Sequence, residues 1–194
     1  MDCALSRPHV MRIREEALAH VTGEILEIGF GTALNLQCYP GNVQQITALD
    51  LNPYMKGLAN QRIKNSSIRV DFHVDNAEKM PFPSEAFDTV VSTWTMCSIP
   101  GVQQALAEVH RVLKGNGRFV FLEHGRSPDR STHFWQRFFR PLFKAAGAGC
   151  YLDREIDSLI EGQSFTFRKL KCFYLEEAAP KIASYVYTGV AVKR

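Results

Sequence analysis

The sequence is poor in the cysteine pairs that metal sites and disulfide frameworks use. It has five cysteines, an odd number, and no CxxC pair occurs among them. A zinc ribbon or a disulfide-rich secreted domain would need paired cysteines at short spacing. The wide spacing of Cys3, Cys38, Cys97, Cys150 and Cys172 therefore predicts free thiols and no bound metal.

Long apolar runs and an excess of one charge are absent as well. No apolar run approaches the roughly 18 residues of a membrane-spanning helix, and the N-terminal stretch lacks the apolar core of a signal peptide. The formal net charge is only +3, and Lys and Arg are scattered, which argues against the basic surface that nucleic acids require. We expect a cytoplasmic protein with no transmembrane segment and no nucleic-acid partner.

The sequence does contain an alternation of strand-type and helix-type apolar patterns, which is typical of a parallel sheet flanked by helices. Its 194 residues, 45% of them hydrophobic, suffice for one domain over residues 1–194. The predicted strands are Glu24–Gly29, Gln45–Asp50, Ile68–Val74, Phe87–Thr93, Arg118–Glu123, Phe165–Leu175 and Ile182–Val192. The predicted helices are Arg7–His20, Ala33–Tyr39, a helix from Asn52-Pro53 to Asn65, Val102–Leu113 and one that begins at Asp153.

Five βα units followed by two strands predict an α/β fold of Rossmann-like type. The expected sheet is mostly parallel and seven-stranded, with an antiparallel edge strand and helices on both faces. The last two strands have only a short link between them and should pair as a hairpin. Residues Lys114–Gly117 should end the helix that precedes the fifth strand.

A glycine turn, LEIGFGTA at residues 26–33, follows the first strand. Gly29 and Gly31 remove side chains where the backbone turns and where a ligand must lie against it. A dinucleotide fingerprint would need a third glycine at the position of Leu34, so a pyrophosphate cradle is disfavoured. Glu27 would repel a pyrophosphate but would attract a cofactor with a cationic amino-acid tail.

Asp50 ends the second strand about 20 residues after Gly29, the distance at which an acidic side chain meets ribose hydroxyls in Rossmann-like sites. Its carboxylate can accept both hydroxyl protons. The glycine turn and this carboxylate together predict a nucleoside-containing cofactor at the ends of the first two strands.

These residues resemble the first motif of the class I methyltransferase family, hydrophobic-E-x-G-x-G-x-G, with Ala33 in place of the last glycine. The resemblance covers about residues 23–123. It continues through Ala48–Pro53 (ALDLNP), Asn76–Phe82 (NAEKMPF), Ala86–Asp88 (AFD) and Glu108–Gly117 (EVHRVLKGNG).

The resemblance implies a type 11 methyltransferase domain with S-adenosylmethionine as cofactor and S-adenosylhomocysteine as its product. At the position of Asn76 the family usually holds an Asp facing the adenine amino group, and Asn can still accept there through its carbonyl oxygen. The implied cofactor-binding residues are Glu27, Gly29, Phe30, Gly31, Asp50, Leu51, Met55, Asn76, Ala77, Thr93 and Trp94.

A closer likeness is to the methyltransferase-like seven branch of animal thiol methyltransferases. Those relatives resemble membrane-anchored proteins with an N-terminal hydrophobic helix, and the anchor is not carried over because this sequence begins without one. The likeness implies a small thiol or apolar compound as acceptor, while lipid, quinone and amine acceptors stay open. It rests on Gly31–Asn35 (GTALN), Cys38–Pro40 (CYP), Cys97-Ser98, Glu123-His124 and Gly149-Cys150.

Methyl transfer from a sulfonium needs no protein nucleophile, because the leaving group is a neutral thioether and the enzyme mainly aligns and desolvates the acceptor. His124 follows the fifth strand, where the acceptor should sit, and is the candidate catalytic base; a hydrogen-bonded loop histidine is the alternative. Cys97 and Trp135 complete the predicted acceptor pocket. Residues 134–162 are expected to form a lid over the acceptor, a peripheral membrane contact or a core helix broken at Pro141.

Two functions of other classes stay open. A nucleotide-linked oxidoreductase is disfavoured by Leu34 and Glu27, and a non-catalytic cofactor-binding module would keep the fold without turnover. A cofactor-binding assay distinguishes an oxidoreductase from a methyltransferase, and a turnover assay distinguishes a non-catalytic module from an enzyme. The sequence does not indicate an oligomeric state.

Overall fold

The computed structural model describes residues 5–146, 149–175 and 180–194. Cys3 and residues 147–148 of the predicted lid segment lie outside the described residues. Within these ranges seven strands form one sheet. They are β1 (Ile25–Ile28), β2 (Gln45–Asp50), β3 (Arg69–Val74), β4 (Phe87–Thr93), β5 (Leu113–His124), β6 (Phe165–Tyr174) and β7 (Tyr185–Lys193).

One helix precedes the first strand, and the others follow strands along the chain. No helix in the described ranges has the length and apolar character needed to cross a membrane. The α-helices are α1 (Pro8–Leu18), α2 (Tyr54–Asn65), α3 (Val102–Val112), α4 (Arg130–Ala146) and α5 (Ile156–Glu161), and short 3-10 turns cover Leu34–Gln37 and Lys181–Ala183.

The strand order in the sheet is β3-β2-β1-β4-β5-β7-β6. Strands β1 to β5 run parallel to one another, whereas β7 runs antiparallel to both β5 and β6. The chain leads from β1 to β2 and β3 on one side and to β4 and β5 on the other, so the switch point lies between β1 and β4. The predicted mostly parallel sheet with an antiparallel edge is confirmed, and its last two strands pair as predicted.

The core lies on both faces of the sheet because successive strand residues point to opposite sides. In β4, Val90 belongs to one apolar cluster and Val91 to the other. The first cluster takes in residues of α3 and α5, such as Leu106. The second takes in α1 through Leu18 and α2 through Ala59. Helices therefore cover both faces, as the sequence predicts.

The segment after the glycine turn is tighter than predicted. The prediction of a helix over Ala33–Tyr39 is wrong, since only a 3-10 turn forms there, over Leu34–Gln37. Ala33 has a φ of +67°, in the left-handed region, and so cannot begin an α-helix. Pro40 also disfavours a helical residue immediately before it. This turn directs the buried side chain of Asn35 towards β1.

The fifth strand begins earlier than its predicted start at Arg118. Helix α3 ends at Val112, just before Lys114–Gly117 as predicted, but these four residues already belong to β5. The strand can begin this early because Leu113 pairs with Phe87, with an irregular register before the next pair. A β-bulge of this kind accommodates the glycines without ending the strand.

Two helix bounds differ more modestly from the prediction. Helix α1 covers Pro8–Leu18, a shorter span than Arg7–His20. Helix α5 begins at Ile156 rather than Asp153. The preceding Arg154 donates to backbone carbonyls of another loop, which holds this part of the chain out of the helix.

Candidate active site

The ends of β1 and β4 border a cavity of about 450 Å³. In an open parallel sheet, ligands bind at this carboxyl edge, beside the switch point. Seven of the eleven predicted cofactor residues line the cavity. They are Glu27, Gly29, Phe30, Gly31, Met55, Thr93 and Trp94.

Gly29 and Gly31 shape the turn after β1. Their φ angles are +69° and +56°, in the region that side chains rarely adopt. A Cβ atom on Gly29 would also overlap the Thr95 hydroxyl. The same hydroxyl donates to the Gly29 carbonyl oxygen at 3.3 Å. Only glycine fits this turn, which leaves bare backbone along the cavity.

Glu27 lines the cavity although the residue is only 2% exposed. The Tyr39 hydroxyl donates to its Oε2 at 2.6 Å, and Asn35 Nδ2 donates to its Oε1 at 2.9 Å. Burial raises the pKa of Glu27 to about 7, because these hydrogen bonds and the nearby Arg14 offset only part of the cost of burying a charge. This carboxyl group therefore changes its protonation state near neutral pH.

Arg14 of α1 brings a buried cation to the same cavity and is 3% exposed. Its Nη1 donates to Asn35 Oδ1 at 2.6 Å and to Thr93 Oγ1 at 3.0 Å. Its guanidinium carbon lies 4.4 Å from the ring centroid of Trp94, a cation–π distance. The cavity thus carries a buried carboxyl group and a buried guanidinium cation next to each other.

The sequence interpretation missed Arg14, because an arginine in a helical pattern is ordinarily exposed. Its spacing could have revealed it. Arg14 lies four residues from both Val10 and Leu18, on the face of α1 that is buried. A charged side chain on an apolar helix face indicates a partner inside the fold.

The other predicted cofactor residues lie outside the cavity lining. Asp50 Oδ2 accepts the amide of Gly31 at 2.8 Å, and Oδ1 accepts the amide of Asn52 at 2.9 Å. Carboxylate oxygens accept more than one hydrogen bond, so Asp50 keeps acceptor capacity for a ligand. Asn76 Oδ1 accepts the amide of Glu78 at 2.9 Å. Leu51, Asn76 and Ala77 follow the ends of β2 and β3.

Cys97, His124 and Cys150 come together although they are far apart in sequence. Their two Sγ atoms and a ring nitrogen all lie within 4.8 Å of one another. The His124 ring centroid is 6.0 Å from that of Trp94, which lines the cofactor cavity. Two of the three predicted acceptor-pocket residues therefore meet beside the cavity, and Cys150 joins them without having been predicted.

Trp135, the third predicted pocket residue, lies on α4 and is 45% exposed. Its ring centroid is 5.4 Å from that of Phe134, 5.6 Å from Phe138 and 5.7 Å from Phe139. Among the described residues, no ring contact joins it to His124. The structure places Trp135 in an exposed aromatic cluster of its own helix.

Glu123 shapes the loop that carries Cys97 and was not predicted to do so. The residue is fully buried, and its carboxylate accepts the Ser92 hydroxyl at 2.6 Å. It also accepts the backbone amides of Thr95, Met96 and Cys97 at 3.1, 3.1 and 3.3 Å. Burial raises the pKa of Glu123, and these hydrogen bonds oppose the shift. The sequence signal for this role of Glu123 was an acidic residue at the end of an apolar strand.

Helix α4 continues through Pro141 and is not a core helix. Proline removes one backbone hydrogen bond, which an exposed helix can replace with water. Gln136 anchors the helix, with Nε2 donating to the Gly125 carbonyl at 3.2 Å and to the Ile182 carbonyl at 3.1 Å. Its outer face is apolar and exposed at Phe134, Trp135, Phe138 and Leu142. For α4 the alternative of a core helix is therefore wrong, whereas Ile156 and Ile160 of the same predicted segment are buried in the core.

The fold is shared with a solved structure, that of the YcgJ protein from Bacillus subtilis. The two superpose with a TM-score of 0.75 at 17% identity, over 97% of this chain and 99% of that chain. A family model for a methyltransferase domain matches residues 26–121, which run from β1 to β5. Fold and matched segment together define the class of methyltransferases that use S-adenosylmethionine.

Sequence relatives narrow the family further. The chain is 32% identical to human thiol S-methyltransferase TMT1A over 173 residues, 87% of this chain and 70% of that protein. It is 36% identical to human thiol S-methyltransferase TMT1B over 146 residues, which is 73% of this chain but only 59% of that protein. Methyltransferases named for phosphatidylethanolamine and for ubiquinone and menaquinone also match. The chain belongs to the S-adenosylmethionine-dependent methyltransferase family, and the resemblance seen in the sequence is confirmed.

Proposed function

We propose that this chain transfers the methyl group of S-adenosylmethionine to a small acceptor that carries a thiol. The observation that carries the proposal is the buried pair of Glu27 and Arg14 beside the glycine turn. A zwitterionic amino-acid tail needs an anion for its ammonium group and a cation for its carboxylate. A nicotinamide dinucleotide presents a pyrophosphate instead, which Glu27 would repel.

The nucleoside half of the cofactor fits the remaining predicted residues. Asp50 keeps acceptor capacity for the ribose hydroxyls, and Asn76 offers its amide oxygen to the adenine amino group. Phe30 and Met55 supply apolar walls to the cavity. The turn at Gly29 has no room for a side chain, as a closely approaching ligand requires. S-adenosylmethionine supplies the methyl group and leaves as S-adenosylhomocysteine.

The thiol acceptor rests on the named relatives and on the position of His124. The reactive form of a thiol is the thiolate, which needs a group that takes or displaces its proton. We assign His124 to the acceptor sulfur because its ring lies 6.0 Å from Trp94, at the border of the cofactor cavity. Cys97 and Trp94 then wall the acceptor from water, which favours a bare nucleophile.

Residues 134–162 supply both the aromatic helix α4 and Cys150, and we propose that this segment covers the acceptor. The exposed face of α4 further supports peripheral contact with a membrane surface. Its exposed aromatic side chains share the helix with Arg130, Arg137 and Arg140, a composition typical of interfacial helices. Apolar acceptors would be concentrated at such a surface.

We further propose that the protein works in the cytoplasm as one domain. The cysteines in the described part of the chain, Cys38, Cys97, Cys150 and Cys172, are all free thiols. Unpaired thiols are typical of reducing compartments. One sheet with a core on each face also gives no natural boundary between domains.

Calorimetric titration with S-adenosylmethionine, S-adenosylhomocysteine and NAD in parallel tests the cofactor assignment. We expect the first two to bind and NAD not to bind, because the cavity has a carboxylate where a pyrophosphate would lie. Binding of NAD alone would support the oxidoreductase alternative and contradict the proposal. Binding of the first two without turnover on thiols, amines or quinones would support a non-catalytic module.

A further inference from the structure

Two thiol groups and one imidazole converge beyond the ends of β4 and β5. Cys97, His124 and Cys150 hold their donor atoms within 4.8 Å of one another, and Cys150 Sγ lies 4.0 Å from His124 Nδ1. Cys97 is 1% exposed, and the other two residues are half-buried. The group is withdrawn from bulk solvent but is not sealed from it.

The backbone holds the two cysteine segments against each other. The buried Glu123 accepts three consecutive backbone amides, those of residues 95–97. The amide of Tyr151 donates to the Cys97 carbonyl at 2.8 Å, which ties the segment of Cys150 to the same loop. These contacts fix the separation of the two Sγ atoms through the fold and not through the side chains alone.

Arg154 joins the same two segments a second time. Its guanidinium group donates to the carbonyl of Met96 and, at 2.7 Å, to the carbonyl of Ile99. The guanidinium carbon also lies 4.3 Å from the ring centroid of Tyr151. The three donor groups are therefore positioned before any ligand binds, which is what a preorganised site requires.

We propose that Cys97, His124 and Cys150 bind one Zn²⁺ ion and that its fourth position takes the sulfur of the acceptor. Zinc prefers thiolate and imidazole ligands in tetrahedral geometry, with bonds of about 2.3 and 2.0 Å that set neighbouring ligand atoms roughly 3.5 to 3.8 Å apart. Separations below 4.8 Å reach this geometry with shifts of about 1 Å or less. Three protein ligands and one open position are the arrangement of catalytic zinc sites.

The spacing along the chain hides this site, because its ligands come from three separate segments. That is why the sequence predicts free thiols and no metal.

The charges of the three ligands also agree with a zinc site. Two thiolates and a neutral imidazole balance Zn²⁺, so the nearby Arg154 is not repelled, and an acceptor thiolate would add one negative charge beside it.

The chemical step rests on the proposed function, with His124 acting on the acceptor sulfur through the metal and not as a base that takes its proton. The acceptor thiol loses its proton to solvent as its sulfur binds zinc, because metal-bound thiols are deprotonated. A lone pair of this sulfur then forms the new carbon–sulfur bond to the methyl group. The carbon–sulfur bond of the sulfonium breaks, and its electron pair leaves with S-adenosylhomocysteine.

Metal titration of the reduced, metal-free protein tests the site. Co²⁺ is added first and followed by its thiolate-to-metal charge-transfer absorption, and Zn²⁺ is then added to displace it. We expect one equivalent of each to bind. Cys97→Ser, Cys150→Ser and His124→Ala should each weaken Zn²⁺ binding by at least about 100-fold, more than loss of a group that only orients a ligand. The control Cys172→Ser removes a thiol of β6 and should leave binding unchanged.

Absence of the charge-transfer bands, or an equal loss in Cys172→Ser, would overturn the site. S-adenosylmethionine binding is measured calorimetrically on the same samples, because the cofactor cavity does not include the three ligands. Retained cofactor affinity shows that a variant is folded. Cofactor binding and thiol methylation by protein that binds no zinc would reject the metal site alone. Zinc binding without cofactor binding would reject the proposed function and leave the metal site standing.

Discussion

Glu27 is a carboxyl group that lines the cofactor cavity yet is almost wholly withdrawn from water. Burial raises its pKa from the usual 4.5 to about 7. Between these pH values the unfolded chain releases a proton that the folded chain keeps. The free energy of unfolding therefore falls as pH rises through this window.

Glu27→Gln should remove this pH dependence. From pH 5 to pH 8, in the absence of cofactor, we expect the wild-type chain to lose about 2 kcal/mol of stability relative to the variant, because only the wild-type chain must bury a charge at pH 8. Urea denaturation at the two pH values measures the difference. Parallel pH profiles for both proteins would show that the folded chain keeps Glu27 ionised throughout this range, which would contradict the raised pKa.

Asp50 is expected to bind the ribose hydroxyls as well as the amide of Gly31. Asp50→Ala should weaken S-adenosylmethionine binding by about 1 to 3 kcal/mol, because charge-assisted hydrogen bonds are lost. The control Asp71→Ala removes an exposed carboxylate of the neighbouring strand β3 and should leave affinity unchanged. Calorimetry on both variants decides, and wild-type affinity in Asp50→Ala would reject the ribose assignment.

Local chemistry explains which site residues could be predicted. Gly29, Gly31 and Glu27 belong to one short run whose backbone geometry demands them, so the run itself reveals a ligand site. Arg14 and Cys150 reach the site from distant parts of the chain. The helical spacing of Arg14 indicates only that this residue faces the core. The partners of both side chains are set when the sheet assembles, and no local pattern identifies them.

At the scale of elements, α2 contains a glycine with no structural need. Gly57 is the fourth residue of the helix and is exposed, and a Cβ atom there would meet nothing within 4 Å. Gly57→Ala should stabilise the protein by about 0.5 to 1 kcal/mol in urea denaturation, because glycine loses more backbone entropy in a helix. The matched change Gly29→Ala should destabilise it, and a loss of stability in Gly57→Ala would contradict the account of α2.

The apolar face of α4 should bind vesicles that contain anionic phospholipids. Phe138 is 62% exposed and shares the helix with Arg130 and Arg137, so both burial of apolar surface and charge favour the membrane interface. Phe138→Ser should weaken binding by at least about fivefold in vesicle sedimentation. Tyr54→Ser, a change at an exposed aromatic residue of α2, serves as control. If Phe138→Ser bound these vesicles as strongly as the wild-type protein, membrane contact through this face would be contradicted, and the face would serve only to cover the acceptor.

Element bounds were predictable where burial alone sets them. Strands β2 and β4 have the predicted limits, because apolar runs bounded by polar turns leave little choice. The 3-10 turn at Leu34–Gln37 escaped prediction, since the left-handed Ala33 precedes it. The early start of β5 escaped as well, because pairing with β4 overrides the glycines of Lys114–Gly117.

At the scale of the whole molecule, the class of fold followed from the order of the elements. Alternating strands and helices can bury both faces of a sheet only when the crossovers cover both sides. The placement of β7 between β5 and β6 did not follow, because a hairpin can add to a sheet edge by either of its strands. This placement gives β5 a neighbouring strand on each side. His124, which ends β5, is therefore kept away from the lateral edge of the sheet, at the strand ends that border the site.

The most direct test of the whole account is methyl transfer itself. The protein is incubated with S-adenosylmethionine carrying a deuterated methyl group and with a small aromatic thiol, beside the amine and the phenol of the same carbon skeleton, and the products are identified by mass spectrometry. We expect the deuterated thioether, formed with S-adenosylhomocysteine, and little product from the other two compounds. Transfer to the amine or phenol but not to the thiol, or no transfer from a bound cofactor, would contradict the account.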